Sequence, residues 1–220
     1  HKLDKIPSIV SKLEADGYDG VRTAEMNHDP FFPLLLAAEH SENIEIASSI
    51  AVAFARSPMN LANIGHDLNA YSKGRFTLGL GSQIKPHITK RFSMQWGAPA
   101  AQMRELVLAM RAIWANWYEG APLEFVGEYY RHTLMTPAFT PEDKEYGAPK
   151  VVLAAVGPKM TEVAGEVADG MIIHPFSTLP YINSVTLPAI EQGLAKAGKT
   201  RDGFELSYSC LLYTSDAAAT

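Results

Sequence analysis

The chain has 220 residues, 47% hydrophobic and 20% charged, enough to bury a substantial core in one large domain or two small ones. Its net charge of −5 argues against nucleic acid or an anionic membrane as the main partner. The single cysteine, Cys210, excludes a disulfide framework and fits a reducing cytoplasm, and no apolar run approaches the roughly 20 residues that span a bilayer.

Asp4–Asp16 reads as an amphipathic helix, with Ile6, Ile9, Val10 and Leu13 on one face and Gly17 as its C-terminal cap. Tyr18–Ala24 reads as a strand that ends in a polar knot running from Glu25 to Pro30. His28, in that knot, suits either a loop or capping role or a functional one. A helix over Pro33–Ser41 follows, and then a strand over Ile44–Ala53 that ends near Arg56. After a helix over Met59–Ala70 comes Gly74–Gln83, a short buried strand running into a glycine-rich turn. Gly81 there permits a tight turn or a close approach to a ligand, and Ser82 and Gln83 stand at the strand's carboxyl end.

Lys85–Trp96 mixes basic and aromatic residues, as either a solvated loop or a lid that neutralises an anionic ligand would. Pro99–Trp117 is a strongly patterned helix whose large apolar residues belong to a core. Between Glu119 and Gly147 the rhythm breaks, with a hairpin around Phe125–Tyr130 and an acidic connection over Thr140–Pro149. Lys150–Ala155 is again a buried strand. The glycine of Val156-Gly157-Pro158-Lys159-Met160 opens the next helix, where free N–H groups suit a phosphate. Gly170–His174 is a strand ending in a polar cluster, Tyr181–Ala197 a helix interrupted near Pro188, and Phe204–Tyr208 the beginning of another strand.

Every polar or glycine-rich cluster thus sits at a strand's carboxyl end. No G-x-G-x-x-G, H-E-x-x-H, C-x-x-C or G-x-S-x-G occurs, which argues against a dinucleotide fold and against zinc or serine-hydrolase chemistry. No metal site is expected. Loops gathered at one end of parallel strands suggest a (β/α)8 barrel, which usually takes about 250 residues and eight strands. The six strands read here leave it incomplete. Val21, Ile46 and Ile172 are expected to face the barrel interior.

The chain resembles the luciferase-like flavin and deazaflavin oxidoreductase family. The resemblance rests on GYDGVRTAE (Gly17–Glu25), SSIAVAFARSP (Ser48–Pro58), GRFTLGLGSQIKPHITKRF (Gly74–Phe92) and AAVGPKMTEVAGEVADGMIIHPF (Ala154–Phe176). It is most similar to the branch that uses coenzyme F420, a deazaflavin, with FMN as the alternative. The resemblance implies that these strands are the second to the seventh of a TIM barrel. It also implies a cis peptide between Ser49 and Ile50 behind the ring, and ring contacts from Ser82 and Gln83. Val156, Gly157, Lys159 and Met160 would hold the cofactor's tail. Glu25 would be an acidic cofactor contact.

His174 would lie at the substrate mouth, and either His28 or His174 could supply a proton. The family's sugar-phosphate dehydrogenases carry histidine, glutamate and lysine where this chain has Met26, Ile84 and Ser177, which argues against glucose 6-phosphate. The implied parent enzyme is a cytoplasmic oxidoreductase acting on a small molecule, a homodimer when full length. Residues 1–209 are read as a barrel truncated at both ends. Cys210–Thr220 is read as a non-native tail, because it does not resemble family sequence. Such a fragment is expected to expose sheet edges and to aggregate or dimerise, and the alternative to an enzyme is an inactive truncated fragment without catalytic function.

Overall fold

A computed structural model describes residues 2–208 of the chain. The segment read as a non-native tail, Cys210–Thr220, lies outside the described residues. The principal sheet contains β1 (Gly20–Thr23), β2 (Glu45–Ser48), β4 (Phe76–Gly81), β7 (Lys150–Ala155), β8 (Gly170–Ile173) and β9 (Glu205–Tyr208), with the short β3 (Ala51–Val52) pairing to β4. All neighbours are parallel and follow one another in chain order. A doubly wound sheet reverses its order at a switch point, whereas this one winds in a single direction, as a barrel wall does.

The wall is strongly curled. Arg22 on β1 and Ser207 on β9 belong to opposite edges of the sheet, yet Arg22 Nη1 donates to Ser207 Oγ at 2.6 Å. This is the incomplete (β/α)8 barrel expected from the strand count. Its concave face encloses about 450 Å3 lined by Arg22, Ala47, Thr77, Val152, Ile172 and Ser207.

Pleat alternation decides which residues face that space. Register joins Arg22 to Ala47, Ala47 to Thr77, and Ile172 to Ser207, all on the concave side. Ile46 and Val21, expected inside the barrel, instead lie on the outer side. Ile46 is fully buried, and Val21 packs against the core, because the helices cover that face. Of the three residues expected inside, only Ile172 is there.

The helical layer consists of α1 (Ile6–Ala15), α2 (Phe31–Glu39), α3 (Pro58–Tyr71), α4 (Pro99–Glu119), α5 (Pro158–Val167), a single turn α6 (Leu179–Tyr181) and α7 (Leu187–Lys196). The interruption read near Pro188 is a wide π turn over Ile182–Thr186, which separates α6 from α7. Leu106, Met110, Ile113, Trp114 and Trp117 of α4 are buried, as its periodicity indicates.

Helices α5 and α7 meet backbone to backbone. A Cβ on Gly193 would stand 1.9 Å from the Glu162 carbonyl oxygen, and one on Gly165 would stand 2.4 Å from that of Ile190. Arg104 on α4 adds an ion pair to Glu166 at 2.6 Å, and Arg111 donates to the Val167 carbonyl at 3.1 Å. The position of α5 is therefore set from both sides. Gly193→Ala is expected to lower stability by about 1–3 kcal/mol through overpacking. The measure is a reduced urea midpoint with an unchanged slope, and an unchanged midpoint would refute the close crossing.

The excursion between α4 and β7 forms the antiparallel hairpin β5 (Phe125–Val126) and β6 (Arg131–His132). Glu105 holds its turn, accepting from the backbone N–H groups of Glu128, Tyr129 and Tyr130 at 2.9, 2.7 and 2.6 Å. Beyond the hairpin, His66 on α3 ties the acidic connection down. Its Nδ1 is 2.7 Å from the Tyr118 hydroxyl, and its Nε2 is 3.1 Å from Asp143 Oδ1.

Burial, followed by the charges of Asp143 and Asp67, pushes the Tyr118 phenol up from 10.0 to about 12. The unfolded chain therefore releases this proton first, so stability is expected to fall as pH rises from 10 towards 12. Thermal melts across that window would measure the slope, and Tyr118→Phe should flatten it. An equal slope in the variant would assign it to another group.

Candidate active site

Ala47 pairs with Thr77 and Ala51 with Leu80, so three residues, Ser48–Ile50, stand opposite two, Leu78 and Gly79. That is a bulge, and it divides the single strand expected over Ile44–Ala53 into β2 and β3. The Ser49–Ile50 peptide is cis, in agreement with what the family resemblance implies.

The bulge fits because β4 lacks side chains beneath it. A Cβ on Gly79 would lie 1.9 Å from the Ser48 carbonyl oxygen, and one on Gly81 would lie 2.9 Å from the Ile50 side chain. Ser48, fully buried, then completes the hydrogen bonding of Gly79, donating to its carbonyl at 2.8 Å and accepting from its N–H at 2.9 Å. Sequence reading left Gly81 open to a tight turn or a close approach to a ligand. It is the last residue of β4, and the left-handed residue is Gln83, with φ of 59°. Gln83 Oε1 accepts from the Ile84 N–H at 3.1 Å, and the Ser82 hydroxyl donates to the Gln83 carbonyl at 3.2 Å.

Glu25 follows β1 and is buried. Its N–H donates to the Ile50 carbonyl at 3.0 Å, and its Oε2 accepts from the Val52 N–H at 2.8 Å. Arg56 supplies a second donor to Oε2 at 2.7 Å and reaches Asp29 Oδ2 at the same distance. Its guanidinium also sits 5.2 Å from the centre of the Phe31 ring. One partly buried cation thereby joins the loops after β1 and β3 to the start of α2. Sequence reading did not single out Arg56, which stands past β3 in a run that reads as an ordinary strand end.

Removing Arg56 would leave Glu25 buried without its counter-charge, which costs about 3–5 kcal/mol in comparable pairs. Arg56→Met is expected to destabilise the chain by an amount in that range, and Glu25→Gln in the same background should recover part of it. A double-mutant cycle from urea melts measures the coupling. Strict additivity would show that the pair contributes nothing.

On the far side of β4, Gly157 is the N-cap of α5. It makes no side-chain cap, and nothing lies within 4 Å of where its Cβ would be. Val156 and Lys159 are exposed, and Met160 is half-buried. The first turn of α5 therefore offers uncapped N–H groups beside a cation, an arrangement suited to an anion. His174 is exposed, and its Nδ1 accepts from the Phe176 N–H at 3.2 Å. That bond leaves Nε2 to carry the proton of a neutral ring. His28 is exposed in the loop after β1 and, among the described residues, its ring makes no hydrogen bond to the protein. The strand ends thus bring Glu25, the Ser49–Ile50 bulge, Ser82, Gln83, the α5 turn and His174 to one end of the sheet.

The basic segment after β4 is anchored as well. It forms a π turn over His87–Arg91 with Ile88 buried, and Arg91 Nη2 donates to the Met26 carbonyl at 2.7 Å. No group of three or more histidine, cysteine or acidic side chains suited to a metal is present among the described residues.

The profile of the luciferase-like monooxygenase family matches residues 1–220, and the chain belongs to that family. It is 56% identical over 214 residues to an uncharacterized protein of Mycobacterium tuberculosis, covering 97% of this chain and 63% of that protein. The 5,10-methylenetetrahydromethanopterin reductase of Archaeoglobus fulgidus is 29% identical over 206 residues, covering 93% of this chain and 58% of the reductase. The chain thus spans about three-fifths of the length of these relatives.

Among solved structures, an F420-dependent secondary alcohol dehydrogenase in complex with an F420-acetone adduct superposes with a TM-score of 0.79 at 19% identity, over 94% of this chain and 64% of that one. The FMN-bound oxygenating component of 3,6-diketocamphane monooxygenase from Pseudomonas putida gives 0.71, also at 19% identity, over 93% and 60%. At such identities these likenesses show the fold.

Proposed function

We propose that the protein is an oxidoreductase that moves a hydride between coenzyme F420 and a small organic substrate. The observation that carries this reading is the pairing of two features on either side of β4. One is a bulge seated on Gly79 and Gly81. The other is an open, uncapped α5 N-terminus beside Lys159. Together they suit a molecule with a flat ring at one end and an anionic group at the other. When bound, the deazaflavin would supply the hydride chemistry.

The chain's own residues orient and shield. Gly157, Lys159 and Met160 hold the anionic tail at the helix end, with Val156 beside them. The Ser49–Ile50 bulge backs the ring, and Ser82 and Gln83 offer polar atoms at its edge. Glu25, fixed through Oε2 by Arg56 and the Val52 N–H, is an acceptor for a ring donor. His174, with Nδ1 committed to Phe176, would present Nε2–H as a hydrogen-bond donor to a substrate oxygen. His28 is the second candidate for proton exchange. The name of the alcohol dehydrogenase, solved with an F420-acetone adduct, supports the deazaflavin.

The FMN-bound monooxygenase supports a second reading, in which FMN occupies the same cradle. Incubating the purified protein with each cofactor, followed by gel filtration and absorbance of the protein fraction, separates the two. Retention of F420 is expected, and Lys159→Ala should reduce it. Retention of FMN without F420 would overturn the proposal.

A further inference from the structure

A second cavity, of about 500 Å3, opens between the turn after β3, the segment leading into α4 and the tip of the β5–β6 hairpin. Four aromatic side chains, Phe54, Trp96, Tyr129 and Tyr130, line it together with Arg56 and Glu128. Its volume is that of a small-molecule site. The cofactor cradle described above makes no use of it.

The aromatic walls are tied to one another. Phe54 is buried and meets Trp96 edge to face, with the ring centres 5.9 Å apart. Gly97 follows Trp96, and a Cβ there would lie 2.5 Å from Tyr129 Cε1, so the missing side chain admits the Tyr129 ring. Gln102, itself buried, bridges the two sides. Its Oε1 accepts from the Gly97 N–H at 3.3 Å, and its Nε2 donates to the Tyr130 hydroxyl at 3.2 Å. Glu105 holds the hairpin tip from behind through the N–H groups of Glu128, Tyr129 and Tyr130. Walls fixed in this way lose little freedom when a ligand enters.

Charge decides what fits. From Phe92 to Met103 the chain carries no charged residue. Among the described residues, Arg56 is the one cation on the lining, and it is shared between two carboxylates, Glu25 and Asp29, each at 2.7 Å. Glu128 is exposed at the rim, and among the described residues its carboxylate makes no ion pair or hydrogen bond; only its N–H is engaged. Aromatic faces carry negative potential and attract a cation, more strongly where water is excluded. The geometry points to a binding site for a small organic cation of the alkylammonium class, its head among the rings of Trp96, Tyr129 and Tyr130 and its counter-charge on Glu128. The site is separate from the cofactor cradle and does not depend on it, although Arg56 touches both.

The probe is choline, titrated into the purified protein without cofactor and followed by calorimetry and tryptophan emission. Saturable binding is expected, weakening as salt rises. Neohexyl alcohol, the uncharged carbon isostere of choline, should bind about tenfold more weakly or less. Trp96→Leu and Glu128→Gln should each weaken choline binding by about the same factor with an unchanged circular dichroism spectrum, and Trp96→Phe should keep most of it. Because Glu128 is exposed and holds nothing through its carboxylate, its replacement tests the site without disturbing the fold. Equal affinity for neohexyl alcohol would overturn the inference, leaving an apolar pocket with no choice of charge. Tighter binding of pivalate would overturn it too, by assigning the cavity to anions through Arg56. So would undiminished choline affinity in Glu128→Gln, or no response of the folded protein to millimolar choline by either measurement.

Discussion

The contact between Ser48 and Gly79 governs the arrangement of this end of the molecule. Two neighbouring parallel strands lose step by one residue there, and a backbone carbonyl enters the space that any side chain at Gly79 would fill. The Ser48 hydroxyl satisfies the donor and acceptor that the misstep would otherwise strand in the core. An unsatisfied buried polar group costs about 1–3 kcal/mol, so this one serine offsets what could amount to several. Through the same bulge, the Ile50 carbonyl and the Val52 N–H receive Glu25, and Arg56 then draws the loop after β1 and helix α2 into place. The site is assembled outward from one close backbone approach.

A similar economy fixes the other wall. Helix α5 carries the candidate anion site, and its crossing with α7 is too close to admit a methyl group at Gly165 or Gly193. On its other side, Arg104 and Arg111 of α4 hold Glu166 and the Val167 carbonyl. Arg104 keeps the Glu166 carboxyl below its usual range, chiefly through their hydrogen bond, so the pair stays charged over the neutral pH range. The two walls of the mouth are thus built by different means, polar clasping around the bulge and steric contact behind α5.

Much of this architecture was legible in the sequence because it depends on local pattern. The alternation of Phe76, Leu78 and Leu80, the spacing of apolar residues along α4 and the glycine before Pro158 each encode an element directly. The curled parallel sheet follows from their order. What the sequence concealed depends on partners far along the chain. Ser48 and Gly79 are 31 positions apart, Arg56 and Glu25 also 31, and His66 and Asp143 77. Nothing in the neighbourhood of Arg56 distinguishes a hub of ion pairs from a surface arginine. Ile46 was misplaced for a related reason: an apolar residue on a barrel strand suits either face, and only the register decides which.

The glycine contacts have a consequence for how such a protein can change. At Gly79 and at the Gly165–Gly193 crossing, each position is constrained by the backbone opposite, so a substitution cannot be absorbed by a neighbouring rotamer. These sites tolerate little drift. Met26, Ile84 and Leu179, at the strand ends, are exposed by contrast, and their replacement disturbs no core packing. A frame that cannot vary, carrying exposed strand-end loops that can, lets those loops change by point mutation while the sheet and helices beneath stay as they are.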